Sequence, residues 1–181
     1  MDHCEQCDFS YDEVRISDLP DAIRSLGTAY QSRLAAGAHD AKEERLLRRR
    51  PAPQVWSALE YSCHFRDVLL AQRERLYLAL VEDTPRIWSI YRDQRVILAR
   101  YGDDRLEEVG CEVDLAASLI ARAFARLDHT QWQRCCIYPY PAPTQRTVAW
   151  LGRHTVHEGQ HHLRDVDDVI SAARSSALGP D

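Results

Sequence analysis

Trp150-Leu-Gly-Arg-His154-Thr-Val-His157-Glu158-Gly-Gln-His161-His162-Leu-Arg164-Asp165 is the stretch whose reading decides both fold and chemistry. At about 100° per residue of helix, His154, His157, His161 and Asp165 fall within roughly 80° of one another. Val148, Val156, Leu163, Val166 and Ile170 form an apolar stripe on the opposite side. Trp150 lies on the histidine side, so that side faces more than solvent. A surface helix also shows a polar face opposite an apolar one. Four histidines within nine positions, with His157 and His161 at i, i+4, point instead to two imidazoles on one metal ion.

Two ligands on one helix need a third from elsewhere. His64 is the candidate, in Glu60-Tyr61-Ser62-Cys63-His64-Phe65-Arg66-Asp67. Glu60 and Asp67 share its helical face, and either is placed to orient the imidazole. Three histidines leave coordination positions open for water or substrate. His157-Glu158-Gly-Gln-His161 also matches the H-E-x-x-H pattern of zinc peptidases, with Glu158 as general base. The extended form of that motif fails at Arg164 and Asp167, and no strands precede it to build the required sheet.

Working outward, the periodicity predicts helices over residues 18–36, with Pro20 in the first turn, and over 54–82, 86–101, 107–127 and 147–173. A short charged helix at 40–50 stands apart or continues the first. Residues 1–17 read as an irregular, cysteine-containing segment, and 129–146, with Tyr138-Pro-Tyr-Pro-Ala-Pro143, as a structured loop. Nothing alternates with a period of two for long enough to require a sheet. The expectation is an all-α chain, residues 1–181 in one domain, built as a four-helix bundle with additional short helices.

Composition narrows the function. Acidic residues outnumber basic ones, 28 to 23, for a formal charge of −5, which argues against nucleic acid. No apolar run approaches the ~18 residues of a membrane span. Met1 to Glu13 carries no signal-peptide core, so the expected location is cytoplasmic. The six cysteines are then expected as thiols. Cys4 and Cys7 form a C-x-x-C, half of a structural zinc site, with Cys135, Cys136, His3 or Asp8 as candidates to complete it. Free thiols are the alternative, and Cys63 and Cys111 read as small buried hydrophobes.

A histidine in the second bundle helix followed by H-x-x-x-H in the last resembles the DinB-like metalloenzymes. These are related to the mycothiol-dependent maleylpyruvate isomerases and bacillithiol S-transferases. Cys4-Glu-Gln-Cys7-Asp-Phe-Ser-Tyr11, Tyr91-Arg-Asp-Gln-Arg95-Val and the stretch from Thr147 to Val166 resemble an actinobacterial branch. The resemblance implies a four-helix bundle of DinB type, often homodimeric, with Zn²⁺ or Ni²⁺ on His64, His157 and His161. The isomerases use a glutamate for one of the three ligands, so an all-histidine set is nearer the general DinB-like pattern.

The leading functional expectation is a metal-dependent thiol S-transferase. A small-molecule thiol such as mycothiol would be held as thiolate and would attack an electrophilic substrate, with Arg153 and Arg164 placed to hold co-substrate carboxylates. The alternatives are a metal-activated hydrolase, with Glu158 or Asp165 as base, and a non-catalytic metal-binding stress protein.

Overall fold

Pro51 and Pro53 stop the chain, and Ser57 restarts it. The Ser57 side chain accepts from the Glu60 backbone N–H, and Glu60 reaches back to the Ser57 N–H, a complete capping box for a 24-residue helix. The computed structural model describes residues 3–37 and 39–177. Its elements in chain order are β1 (His3–Cys4), β2 (Phe9–Ser10), α1 (Leu19–Ala35), α2 (Ala41–Arg48), α3 (Ala58–Val81), α4 (Arg92–Leu98), α5 (Leu106–Phe124), α6 (His129–Trp132), β3 (Cys135–Tyr138), β4 (Thr144–Thr147) and α7 (Val148–Ala177).

Helices α1, α3, α5 and α7 form the bundle. α1 and α3 each pack against both α5 and α7, which closes a four-sided ring. Leu19, Ile23, Tyr30, Phe65, Leu69, Leu76, Val113, Ile120, Phe124 and Val166 fill its centre. The expected apolar stripe of α7 is buried at Val148, Val156, Val166 and Ile170. The expected all-α bundle with extra short helices is what the chain adopts. Among the described residues no helix is long and apolar enough to cross a membrane.

Three local readings are corrected. The helix expected over 86–101 shrinks to α4, because Pro85 and Arg86 run alongside β3 instead. Ile137 donates its N–H to the Pro85 carbonyl (2.8 Å) and accepts from Ile87 (3.2 Å). The 129–146 loop contains α6 and an antiparallel hairpin, with Cys135 opposite Thr147 and Tyr138 opposite Thr144. The N-terminal segment also holds a small antiparallel hairpin, His3 opposite Ser10 and Cys4 opposite Phe9. Strands of two to four residues are too short to show a period of two. Together the N-terminal hairpin, residues 89–94 and the Tyr138–Tyr140 turn wall a cavity of about 860 Å³ over one face of α7.

Candidate metal centre

One helical turn of α7 presents ligand-capable side chains in two directions. Glu158 and His162 face α3, where they meet His64. One ligand atom from each of the three lies within 4.8 Å of the other two. His157 and His161 face the N-terminal hairpin and come together, within the same limit, with Cys4 and Cys7. Among the described residues no such group contains His64 with His157 and His161. The three histidines expected from sequence as one ligand set are thus divided between two groups. His162, passed over in the sequence, lies beside His64, and Glu158 is grouped with both. The overlooked pattern was E-x-x-x-H at 158 and 162, which has the same i, i+4 spacing as 157 and 161.

His64 fits the role of ligand. It is 2 % exposed, and its Nδ1 has no hydrogen-bond partner. A buried polar atom left alone costs free energy, so its presence calls for a partner such as a metal ion. Burial drives its pKa down to about 3, with His162 adding to the fall, so the imidazole stays neutral and able to donate a lone pair. The side chains expected to orient it are engaged elsewhere. Glu60 caps α3 and pairs with Arg50. Asp67 accepts from Arg66, Arg95 and Tyr101.

The orienting carboxylate belongs to His162 instead. Its Nδ1–H donates to Asp165 at 2.8 Å, which leaves Nε2, 3.8 Å from Glu158 Oε2, to face the group. Asp165 therefore sets the tautomer of His162, a carboxylate–histidine arrangement common behind metals. Burial acts to raise the Glu158 pKa. The His157, His154 and His162 imidazoles outweigh it and hold the carboxyl far below the usual range. His154 is taken up by Tyr11, whose hydroxyl lies 2.7 Å from its Nδ1, and by the Trp150 ring stacked on it.

Around the second group the environment is sulfur-rich. Cys4 Sγ lies 3.9 Å from His161 Nδ1. Burial acts to raise the Cys4 thiol, but the Cys7 backbone amide, the neighbouring His157 imidazole and the Gln6 backbone amide bring it down to about 7. The other suggested partners of the C-x-x-C do not join this group. Cys135 and Cys136 sit in β3, and His3 and Asp8 pair with each other. Cys63 is buried as expected, whereas Cys111 is exposed on α5.

Arg153 and Arg164 do not line the cavity. Arg153 Nε donates to the Val14 carbonyl and Arg164 to the Gln6 carbonyl, so both fasten the N-terminal segment to α7. The cationic side chains at the cavity wall are Arg75 and Arg92. Arg75 is buried and donates to Gln72, Tyr138 and the Trp88 carbonyl, while Arg92 lies over the Trp56 ring.

A family model of the DinB superfamily matches residues 29–166. Among solved structures, the fold is similar to that of YfiT from Bacillus subtilis, described as a probable metal-dependent hydrolase with an unusual four-helix bundle topology. The TM-score is 0.74 at 15 % identity, over 90 % of this chain and 87 % of that one. No curated protein matches the chain.

Proposed function

The chain belongs to the DinB superfamily, and from that premise we propose that it is a metal-dependent enzyme working at His64, Glu158 and His162, and more finely a thiol S-transferase. The carrying observation is that these three side chains converge on one wall of a cavity of about 860 Å³. That volume suits a small-molecule site. Two imidazoles and one carboxylate are an open catalytic ligand set, with positions left for an exogenous ligand.

Bound there, a divalent ion such as zinc or nickel would hold a low-molecular-weight thiol, for which mycothiol is the candidate, as its reactive thiolate. The chain's own residues do the rest. His64 and His162 bring neutral nitrogen donors, and Asp165 keeps His162 turned toward the group. Ionised Glu158 cancels one of the ion's two charges, so the centre keeps one net positive charge and favours a single anionic ligand. Arg92 and Arg75 bring positive charge to the cavity wall and suit a co-substrate bearing carboxylates. The mycothiol-dependent isomerases that this chain resembles also use a glutamate among their three ligands, which favours a thiol at this site. The description of YfiT favours a second reading, hydrolysis with water in place of thiol.

The test is turnover of a panel of electrophiles by zinc- or nickel-loaded protein, with and without mycothiol. Thiol-dependent consumption that falls to background in His64→Ala is the expected result. Turnover of esters or amides without thiol transfers the assignment to the hydrolase. Indifference to thiols at millimolar concentration, in both binding and turnover, removes the transferase reading.

A further inference from the structure

We infer that Cys4, Cys7, His157 and His161 form a second, closed metal site that holds structural zinc and staples the N-terminal hairpin to α7. It shares no ligand with the group in the cavity.

The first observation is geometric. All four ligand atoms lie within 4.8 Å of one another. In a tetrahedral Cys₂His₂ zinc centre, bond lengths of about 2.0–2.3 Å put neighbouring ligand atoms roughly 3.4–3.8 Å apart. A contraction of at most about 1.4 Å reaches that geometry, and the Cys4 Sγ to His161 Nδ1 separation of 3.9 Å is nearly there. The two sulfurs come from a C-x-x-C at the tip of the β1–β2 hairpin, where the turn after Cys4 brings Cys7 back beside it and Asp8 adopts φ 59°. The two nitrogens come from consecutive turns of α7.

The second observation is independent of the cysteines. Both ring nitrogens of His157 are buried without a hydrogen-bond partner. The Nδ1 contact to Glu158 Oε1, at 3.6 Å, is too long to serve as one. Two orphaned nitrogens on one side chain, 7 % exposed, are costly unless a metal takes one of them.

Charge favours zinc here and a different role from the cavity group. Two thiolates and two neutral imidazoles around Zn²⁺ sum to zero, which permits burial without a counter-ion. The two thiol protons leave to solvent as the metal binds. Four protein ligands leave no position for a substrate, as in structural zinc sites.

The hairpin also needs an anchor. A two-stranded hairpin this short does not hold itself together in water, and it precedes the residues matched by the family model. Phe9 against His157 and the Arg153 and Arg164 bonds to the Val14 and Gln6 carbonyls fasten it on one side. The zinc would fasten the tip that carries Cys4, Glu5 and Gln6, which line the cavity.

The experiment counts zinc in full-length protein purified from zinc-supplemented cells without thiol reductants. Two equivalents per chain are expected in the wild type, with one remaining in Cys4→Ser/Cys7→Ser and one remaining in His64→Ala. Cobalt-loaded His64→Ala protein should show a thiolate-to-cobalt charge-transfer band with no added thiol, which Cys7→Ser abolishes. If the cysteine variants fail to fold, titrating native His64→Ala protein with an organomercurial reads the same site, and one zinc equivalent should leave as thiols beyond the exposed Cys111 react. Absence of the band, or thiol titration that releases no zinc, overturns the inference. Failure of the enzyme reading looks different, as zinc present in both sites without turnover.

Discussion

His157 and His161 precede Glu158 and His162 by one residue each, and that single step along α7 separates two chemical environments. One pair meets two cysteines in a group of four ligand-capable side chains. The other meets a buried histidine beside a large cavity. Adjacent positions on a helix are about 100° apart, so consecutive residues face different neighbours. The comparison teaches that i, i+4 spacing marks a candidate metal-binding turn but does not choose its register. The elements packed around the helix choose it, and here two of them choose differently.

The most direct way to break this comparison is Asp165→Asn. Asp165 lies 2.8 Å from His162 Nδ1 but 3.8 Å from His161 Nε2, a hydrogen bond on one side and a loose contact on the other. Loss of a carboxylate behind a ligand imidazole typically weakens metal binding by about 10–100-fold. Competition with a chelator should therefore show the cavity site weakened by that factor and the cysteine site unchanged. Equal weakening at both would mean that Asp165 serves both pairs.

Gly159→Ala acts on the turn that carries both pairs. A Cβ there would stand 2.6 Å from Leu26 Cδ1 and 2.7 Å from Phe65 Cζ. The Tyr30 hydroxyl also donates to the Gly159 carbonyl from that side. Leu26 and Phe65 are buried, so α7 must shift away from α1 and α3, at a cost of about 1–3 kcal/mol for overpacking. Thermal melts should show that loss, and both sites should bind metal more weakly. A response confined to one would show that the ligand pairs move independently.

Much of the fold was legible, because α1, α3, α5 and α7 each bury a stripe repeated at helical spacing and are bounded by proline, glycine or capping residues. The two hairpins were not, since pairing as short as Cys4 with Phe9 leaves no trace in periodicity. In the candidate site, His64 and the ligand-rich turn of α7 could be singled out from residue type and spacing. The division of labour could not. Four ligand-capable residues at 157, 158, 161 and 162 admit two i, i+4 pairs, and only the packing of α3 and the N-terminal hairpin decides between them. Arg153 and Arg164 were misread for the same reason: an arginine near histidines can hold a substrate or a backbone carbonyl, and the segment offering those carbonyls lies some 140 to 160 residues away in sequence.

Helix α3 supplies the gentlest test, since it carries a polar group already satisfied beside one that is not. Asp67 sits three residues from His64 and has all the partners that His64 lacks. Burial acts to raise its pKa, but hydrogen bonds from Tyr101, Arg95 and Arg66 outweigh this and hold the carboxyl below its ordinary value. Arg66 is shared with Asp104 and Glu112, so the network ties α3 to α5. A carboxyl whose pKa is lowered by folding contributes stability that is full above its unfolded value, about 3.9. That contribution is lost as pH falls through the lower folded value. Asp67→Asn should accordingly melt below the wild type at neutral pH, and the gap should narrow as pH falls below about 4. Melts of both proteins in chelator, compared at each pH, remove any contribution from metal. A gap that stays constant through the acid range would mean that the Asp67 network contributes by shape and not by charge. The contrast between satisfied and ligand-seeking groups on α3 would then rest on His64 alone.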